Sequence, residues 1–212
     1  PLIVIIFVSS FELGRRKRQK NGGDVDSSNV DMKNGIIQVY EDVVLGHGGG
    51  GTVVYKGQLD GRQVAVKRML KTYHASADRE ISLLIESDGH PNVVRYFLKE
   101  MRGDFVYLAL ELCDLSLHEL IGHIRNRLDQ EYDSEADKKK VADRIFVATK
   151  AILFQIVKGV MHLHRLRIVH RDLKPANILL AATNSVKRKK ELTVCETFER
   201  GDYIAKVSVS IN

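Results

Sequence analysis

Cysteine is scarce in this sequence, with Cys113 and Cys195 the only two among 212 residues. Two thiols cannot form a disulfide framework or a four-cysteine metal cage, and such scarcity is typical of a reducing compartment. Basic residues are not interleaved with aromatic ones, so the pattern of a single-strand nucleic-acid binder is missing. The unbroken apolar run at residues 2–8 is short as well, far below the roughly 20 residues that span a bilayer.

The remaining composition indicates a globular protein of one large or two small domains. Hydrophobic residues make up 44% of the chain and charged residues 28%, which is enough apolar material for a sizeable core. The formal net charge of +6 allows an anionic partner, but much of the excess lies in two short basic runs, at residues 15–20 and 187–190. The second run is interpreted most simply as a solvated charged surface.

The first 35 residues predict a membrane anchor followed by a linker. The chain begins with proline instead of methionine, which indicates a fragment, a processed product or an incomplete gene model. We interpret residues 1–14 as the end of a truncated transmembrane segment, because a dense basic flank follows the apolar run. A β-strand with a charged loop is the alternative. Residues 15–35 predict this basic flank and a flexible linker, with the folded part beginning near Ile36.

A polar segment at residues 170–177, His-Arg-Asp-Leu-Lys-Pro-Ala-Asn, lies between two apolar stretches. It presents the Asp172 carboxylate, the Lys174 ammonium and the Asn177 amide at short spacing. Phosphoryl transfer requires these three kinds of group: a base for a hydroxyl proton, a cation for the transferred phosphate and an oxygen ligand for Mg²⁺. The alternative is a polar turn between strands that carries these residues by accident.

A glycine-rich segment follows Leu45. Gly46, Gly48, Gly51 and Val53 fit the pattern G-x-G-x-x-G-x-V. Glycines let backbone N–H groups approach phosphate oxygens with no Cβ in the way. A dinucleotide-binding fold requires a helix after the glycines, whereas β-favouring residues follow here, so we predict a hairpin that covers phosphates. A glycine-rich turn without a ligand is the alternative.

Residues 64–67, Val-Ala-Val-Lys, predict a buried strand that ends on a lysine. Ala65 is small enough to admit an adenine ring, and Lys67 can reach the α- and β-phosphates; the alternative is an ordinary edge-strand lysine. Residues 76–87 predict a helix whose apolar face is formed by Ile81, Leu84 and Ile85. Glu80 lies beside that face, where we predict an ion pair with Lys67. A solvated glutamate on the helix surface is the alternative.

Two more strands are predicted at residues 90–97 and 105–112, and the second leads into a hinge between two lobes at Cys113. Backbone groups of Glu111 and Cys113 are candidates to bind the adenine edge, and Leu110 is the candidate back wall of that pocket. Further helices and loops are predicted beyond the hinge: a helix at residues 115–128, a charged surface excursion at 129–143 and a long helix at 145–164, in which His162 and His164 are packing or surface residues.

From about Val39 to Leu180 the sequence resembles a eukaryotic protein kinase, because residues 170–177 match the catalytic-loop pattern H-R-D-L-x-x-x-N without a departure. Several stretches are similar to the inositol-requiring-enzyme family, the unfolded-protein sensor kinase/endoribonucleases of the endoplasmic reticulum; they are residues 45–48, 64–70, 77–80, 86–93 and 111–113. The resemblance implies an α+β, bilobal protein-kinase fold. It places a complete β-rich small lobe at 36–112, then the hinge and only the first part of a helical large lobe at 113–212.

The resemblance also implies a role for each matching residue. Asp172 would be the catalytic base, Lys174 would steady the transferred phosphate and Asn177 would hold Mg²⁺. Lys67 with Glu80 would grip the phosphates of ATP. The implied ATP-binding set is completed by the glycine-rich segment, the strand and the hinge: Leu45, Gly46, Gly48, Gly51, Val53, Ala65, Leu110, Glu111 and Cys113.

The match to the kinase pattern fails after Leu180. A kinase requires an Asp-Phe-Gly segment after the catalytic loop, because its aspartate holds the principal Mg²⁺. The strand-like residues 204–208 are where such a segment would follow, but Val209 stands in the place of the aspartate. We therefore expect the 212 residues alone to be inactive, and we expect apolar surface on the helix around residues 152–163 to be exposed.

For the whole protein, the resemblance implies an ATP- and Mg²⁺-dependent serine/threonine kinase. It would cross the endoplasmic reticulum membrane once, through the N-terminal segment, with its kinase region in the cytosol. Members of the family autophosphorylate in trans after oligomerising, so a protein substrate or a second copy is an implied partner. RNA would be reached only through a ribonuclease domain absent from this sequence. The alternatives are a non-catalytic nucleotide-binding or dimerising module, or a truncated gene model that never accumulates as protein.

Overall fold

The structure, a computed structural model, describes residues 36–71, 82, 85, 89–183 and 192–208. The predicted anchor, basic flank and linker lie outside the described residues, as do Glu80 and most of the predicted helix around it. The described residues form eight strands and three α-helices: β1 (Ile37–His47), β2 (Val53–Leu59), β3 (Arg62–Leu70), β4 (Tyr96–Arg102), β5 (Phe105–Glu111), β6 (Leu115–Ser116), α1 (Leu117–Leu128), α2 (Glu135–Arg165), β7 (Ile178–Ala182), α3 (Val194–Glu199) and β8 (Tyr203–Val207).

The first half of the described chain is an antiparallel sheet with strand order β1-β2-β3-β5-β4. Alternation of side chains along β3 explains how one strand serves both the core and a surface. Val64 and Val66 are fully buried, whereas Ala65 and Lys67 lie on the opposite face and are half-buried. This confirms the predicted strand and leaves two of the candidate ATP-binding side chains on one face of the sheet.

The ion pair of Glu100 and Arg102 on β4 connects the two edge strands of this sheet, β4 and β1. Glu100 accepts a hydrogen bond from the backbone N–H of Ile37 at 3.0 Å, and Arg102 donates to the carbonyl oxygen of Ile37. The two side chains also pair with each other, at 2.8 Å between Arg102 Nε and Glu100 Oε1. Because β1 and β4 are the two outer strands, these contacts curl the sheet into a barrel-like layer and fix the start of β1.

The second half combines helices with a small antiparallel sheet, β6-β7-β8. Each helix begins at a side-chain cap: Ser116 for α1, Ser134 for α2 and Thr193 for α3. Such caps satisfy backbone N–H groups that have no partner within the helix. Helix α2 packs against β8 and α3, so the helices and the small sheet share one hydrophobic core.

Gly159 lets α2 approach the chain segment that precedes β4. A Cβ at this position would lie 2.4 Å from the carbonyl oxygen of Asn92 and 3.0 Å from a methyl group of Val207. Asn92 is itself fixed, since its side-chain amide donates to the carbonyl oxygen of Ala205 at 2.9 Å and to Gln155 Oε1 at 3.2 Å. The backbone therefore has no room to yield.

We expect Gly159→Ala to lower the free energy of unfolding by about 1–3 kcal/mol, because an added methyl group overpacks this contact. Gly122→Ala is the matched control, since Gly122 is also helical and nothing lies within 4 Å of its Cβ position. That substitution should be neutral or stabilise by up to about 1 kcal/mol. Thermal or urea unfolding followed by circular dichroism measures both. Equal stability of the two variants would contradict the close approach.

Helix α2 has the length and apolar composition of a membrane span, with a mean hydropathy of 1.4 in its most apolar window. It is nevertheless a core helix on one side, where Ala148, Ile152 and Leu163 are buried. Its other side exposes apolar side chains, as expected for this stretch: Phe154 is 61% exposed, Val157 52% and Met161 48%.

Three predicted element boundaries are wrong. The strand predicted at residues 90–97 is β4 at Tyr96–Arg102, because the backbone around Val93 bridges to β8 instead of joining the large sheet. The charged stretch at 129–143 is mostly the beginning of α2, whose first turn carries acidic residues that favour a helix N-terminus. Residues 115–116 belong to β6, so α1 begins two residues later than predicted.

Of the helix predicted at residues 76–87, the structure describes Ser82 and Ile85, and both are helical. Ile85 is 56% exposed, so it does not belong to a buried apolar face as predicted. His162 stacks on His90, with ring centroids 4.6 Å apart, while His164 is exposed. Burial and the neighbouring imidazole of His162 lower the pKa of His90, so this environment favours the neutral form of His90.

Candidate active site

The polar loop at residues 170–177 brings three predicted catalytic groups into direct contact. Lys174 Nζ lies 2.8 Å from Asp172 Oδ2. The side-chain amide of Asn177 donates to Asp172 Oδ2 at 2.9 Å and to the backbone carbonyl oxygen of Asp172 at 2.8 Å. The carboxylate is therefore held between a cation and an amide. Because the Asn177 nitrogen faces Asp172, its amide oxygen is the atom available to a metal ion.

Buried contacts of His170, which is 5% exposed, hold the backbone of this loop in place. His170 Nε2 lies 2.6 Å from the carbonyl oxygen of Ser208, and the carbonyl oxygen of His170 accepts a hydrogen bond from the N–H of Asp172 at 2.8 Å. Arg171, between them, has φ +63°, in the left-handed region that non-glycine residues rarely adopt. Such strain persists only where the surroundings impose it, and it aims Asp172 outward.

Ser208 connects the loop to β8. Its N–H donates to the carbonyl oxygen of Asn177 at 3.0 Å, while its carbonyl oxygen contacts His170. A short 3-10 turn at Pro175–Asn177 sets the position of the amide, with the Asn177 N–H bonded to the Lys174 carbonyl oxygen at 2.9 Å. Ser208, the last residue before Val209 in the sequence, is therefore held beside the loop.

The hydrogen bond from Lys174 lowers the pKa of Asp172 below its ordinary value, and the hydrogen bond from Asn177 acts in the same direction. We therefore expect Lys174→Met to raise the pKa of Asp172, so that its carboxylate protonates at a higher pH than in the wild type. A carbon-detected NMR titration of the side-chain carboxyl groups measures this shift. Asp137, whose pKa is lowered by Ser134 and Lys140, is the internal reference and should not move. An unchanged midpoint for Asp172 would contradict the pairing.

The glycine-rich segment is the turn of the β1–β2 hairpin, as predicted. Gly46 lies in β1, Val53 opens β2, and the hairpin is closed by a hydrogen bond from Gly48 N–H to the Thr52 carbonyl oxygen at 2.8 Å. Gly51 has φ +74°, a conformation that side chains disfavour. No helix follows the glycines, which agrees with the predicted hairpin and not with a dinucleotide-binding turn.

Neighbouring strands bring the predicted adenine and phosphate residues to one part of the sheet. Ala65 pairs with Leu110 of β5 across the ladder, so the small residue and the predicted back wall are adjacent. Lys67 lies two residues further along β3 on the same face, opposite Leu108 of β5 and Val54 of β2. Leu45, on β1, is 46% exposed beside the hairpin turn. These positions suit one nucleotide under the hairpin.

Hydrogen bonds attach the two ends of the segment after β5 to neighbouring parts of the chain. The N–H of Glu111 donates to the carbonyl oxygen of Arg95 at 2.9 Å, which leaves its carbonyl oxygen as the candidate backbone group for the predicted adenine contact. Asp114 holds β7 twice, through its N–H to Leu180 and through its carboxylate, which accepts from the N–H of Ala182 at 2.6 Å. Cys113 lies between these two anchors, at the predicted hinge.

The described residues provide few candidate ligands for Mg²⁺. Mg²⁺ prefers octahedral coordination by carboxylate, carbonyl and water oxygens. The part of the chain that the structure describes contains no group of three or more His, Cys, Asp or Glu side chains that could hold a metal ion. Asp172 and Asn177 supply one carboxylate and one amide. Lys67 is described, but Glu80, its predicted partner, lies outside the described residues.

The sequence analysis did not identify the polar residues that connect the elements supporting the site. Asn92, Gln155 and Lys206 carry no motif, yet they bind the segment before β4, helix α2 and β8 to one another. Their only sequence signal is a polar residue inside an apolar element. The catalytic loop, by contrast, was predicted from its own residues.

A β-sheet that presents a glycine hairpin and a lysine, joined by a hinge to helices that carry this polar loop, defines the class of protein kinases. The family model of the protein kinase domain matches residues 40–190. The chain belongs to the protein kinase family, and its α+β architecture is that of the beginning of a protein-kinase fold.

Curated relatives narrow the similarity to kinases of one type. The chain is 49% identical over 147 residues to the serine/threonine-protein kinase/endoribonuclease ireA of Aspergillus fumigatus, and this covers 69% of the chain and 12% of the relative. It is 47% identical over 142 residues to the human serine/threonine-protein kinase/endoribonuclease IRE2, covering 67% and 14%. It is 42% identical over 156 residues to the sensor for unfolded proteins in the ER ire1 of Schizosaccharomyces pombe, covering 73% and 13%.

The chain thus spans only about an eighth of the length of these relatives. What their names describe as a sensor or an endoribonuclease belongs to proteins several times longer. The range matched by the protein kinase family model, residues 40–190, contains the glycine hairpin, β3, the predicted hinge and the polar loop.

Proposed function

We propose that this chain is the ATP-binding part of a serine/threonine protein kinase of the unfolded-protein sensor type. One observation carries the proposal: Asp172, Lys174 and Asn177 form a contacting triad with separations of 2.8–2.9 Å. In this arrangement Asp172 accepts the proton of a substrate hydroxyl, and Lys174 stabilises charge on the transferred γ-phosphate. Asn177 would contribute an oxygen ligand to Mg²⁺, and the bound metal would neutralise negative charge on the phosphates.

The nucleotide is proposed to lie between the β1–β2 hairpin and the hinge. Gly46, Gly48 and Gly51 let the hairpin backbone cover the phosphates with no Cβ in the way, and Lys67 pairs with the α- and β-phosphates. Ala65 and Leu110 border the adenine, whose edge meets backbone groups of Glu111 and Cys113. Glu80 is proposed to orient Lys67. The proposed division places the small lobe at residues 36–112 and the partial large lobe at 113–212.

In the whole protein, the proposed reaction is transfer of the ATP γ-phosphate to serine or threonine, mainly between copies of the protein in trans. One relative is named a sensor for unfolded proteins in the ER, and another a kinase/endoribonuclease. The proposed location is the endoplasmic reticulum membrane, with residues 1–14 as the end of a single span and the kinase in the cytosol. The proposed assembly is a homodimer or larger oligomer, and RNA would be bound through an endoribonuclease domain.

The catalytic proposal is tested by sequencing the transcript and by assaying the protein that it encodes. We expect the reading frame to continue beyond residue 208 into an Asp-Phe-Gly segment, and the encoded protein to label itself with γ-phosphate from ATP. Asp172→Asn should lower that rate by about 100- to 10,000-fold, since it removes a general base. Transcripts that all encode Val209-Ser210-Ile211-Asn212 and then stop would overturn the catalytic half of the proposal.

A second candidate function is a non-catalytic nucleotide-binding or dimerising module, favoured specifically by Val209 in the place of the metal-binding aspartate. This candidate predicts that the 212-residue chain binds ATP with little response to Mg²⁺ and transfers no phosphate. Phosphate incorporation by the chain that depends on Asp172 would rule it out.

A further inference from the structure

Lys206 joins three parts of the chain at the back of the hinge. Its side chain is 10% exposed, and its Nζ lies 2.9 Å from Glu111 Oε2 and 3.0 Å from the carbonyl oxygen of Pro91. Lys206 belongs to β8, Glu111 ends β5, and Pro91 precedes β4. One ammonium group therefore contacts the sheet of the small lobe, the loop that leads into that sheet, and the strand that ends at the catalytic loop.

Backbone hydrogen bonds make the same connection next to the lysine. The N–H of Val207 donates to the Asn92 carbonyl oxygen at 2.9 Å, and the N–H of Val94 donates to the Val207 carbonyl oxygen at 3.0 Å. Gln155 adds a side-chain contact, because its Oε1 accepts from the N–H of Ala205 at 2.8 Å. The loop before β4 thus behaves as an extra strand of the small sheet, and Lys206 extends this joint to the hinge.

Glu111 is the residue through which the joint reaches the nucleotide. Its carboxylate binds Lys206 and accepts from the N–H of Arg95 at 3.3 Å, while its backbone carbonyl is the group proposed for the adenine edge. The other end of the hinge is already fixed to β7 by Asp114. With Glu111 fixed to β8, both ends of the hinge are anchored to the same small sheet.

We propose that Lys206 is a positioning residue for adenine recognition: by pairing with Glu111 it holds the hinge carbonyl at the distance and orientation that the adenine edge requires. The inference rests on the proposed nucleotide-binding function. Packing alone does not require a charge here, since a methionine of similar length would fill the space. A partly buried ammonium is retained at a cost in desolvation, and its carboxylate partner offsets that cost only in the paired geometry.

If the ion pair between Lys206 and Glu111 is removed, we expect weaker binding of the adenine base but unchanged binding of the phosphates. In Lys206→Met the carboxylate of Glu111 loses its charged partner and retains the 3.3 Å contact with the Arg95 N–H, so the hinge carbonyl is held less firmly. We expect ATP to bind about tenfold more weakly, in the range measured for coupled charged neighbours. Inorganic tripolyphosphate, which meets only Lys67 and the glycine hairpin, should bind unchanged.

Isothermal titration calorimetry of the 212-residue chain in EDTA, with ATP and with tripolyphosphate, tests the inference. Lys206→Arg keeps the charge and should restore most of the ATP affinity. Glu111→Gln should resemble Lys206→Met, and the double variant should be no weaker than either single variant. Lys140→Met is the matched control, since Lys140 pairs with Asp137 at 3.0 Å on the exposed surface of α2.

The outcomes separate the inference from the function on which it rests. A wild-type chain that binds neither ligand overturns the nucleotide-binding function and the inference with it. Wild-type binding of ATP that is unchanged in Lys206→Met overturns the inference alone. Equal loss of ATP and tripolyphosphate, in a variant with a lowered melting temperature, also overturns it, because that result describes a merely structural lysine.

Discussion

Replacing Lys67 by methionine should weaken ATP binding to this chain by roughly 10- to 100-fold, the value of one or two hydrogen bonds to a charged partner. Lys67 lies on the exposed face of β3, two residues beyond Ala65 and between β2 and β5. No other predicted binding residue in this part of the sheet brings a positive charge to the phosphates. The loss should therefore appear for ATP and for tripolyphosphate alike, unlike the base-specific loss expected at Lys206.

Equilibrium titration with a fluorescent ATP analogue measures this effect, and Lys138→Met is the control because Lys138 is exposed on α2. The control should bind as the wild type does. Binding of ATP to Lys67→Met with wild-type affinity would show that the nucleotide does not use the site between the hairpin and β3.

The substitution Val209→Asp should make ATP binding depend on Mg²⁺, with an affinity at least about tenfold higher in the presence of the metal. The physical reason lies in the anchoring of Ser208, whose N–H and carbonyl oxygen bind Asn177 and His170. A carboxylate on the next residue would join Asn177 in supplying oxygen ligands, as Mg²⁺ requires. The wild-type chain should respond little to the metal.

Val209→Asn is the matched variant, because it has nearly the same size as aspartate and lacks the charge. It should leave the response to Mg²⁺ close to that of the wild type. If Val209→Asp binds ATP without any effect of Mg²⁺, the position after Ser208 is not beside the metal, and the interpretation of this substitution is wrong.

The parts of the fold that the sequence predicts are those with a local cause. Glycines followed by β-favouring residues predict a hairpin, because a helix would need a different continuation, and β1 and β2 form one. The loop at residues 170–177 is predicted down to its contacting groups, because the five fixed positions of the pattern H-R-D-L-x-x-x-N leave few alternatives. Asp172, Lys174 and Asn177 therefore lie together as expected.

Element boundaries were harder to predict where a distant partner decides them. Nothing local distinguishes residues 92–94 from a strand of the large sheet, and it is their pairing with β8, more than a hundred residues later, that delays β4 to Tyr96. The start of α2 was missed for another reason: a run of charges was taken for a surface loop, although Ser134 with Asp137 is a helix cap. Thr193 with Glu196, the cap of α3, carried the same unused signal.

Lys206 shows what sequence patterns cannot supply. A lysine between Ala205 and Val207 on a short strand has the pattern of an outward-facing residue, but here it is buried by loops from the other half of the molecule. Its partners, Glu111 and Pro91, lie 95 and 115 positions away. Long-range ion pairs leave no periodicity, and only the three-dimensional structure reveals this one.

Calorimetric titration of the wild-type 212-residue chain with ATP, first in EDTA and then with Mg²⁺, tests the proposed nucleotide site most directly. We predict one ATP bound per chain, competed by tripolyphosphate, with an affinity that changes little when Mg²⁺ is added. Absence of binding in both buffers would contradict the nucleotide site formed by the hairpin, β3 and the hinge. Binding that appears only with Mg²⁺ would contradict our interpretation of Val209, which is that valine in place of the metal-binding aspartate makes ATP binding insensitive to Mg²⁺.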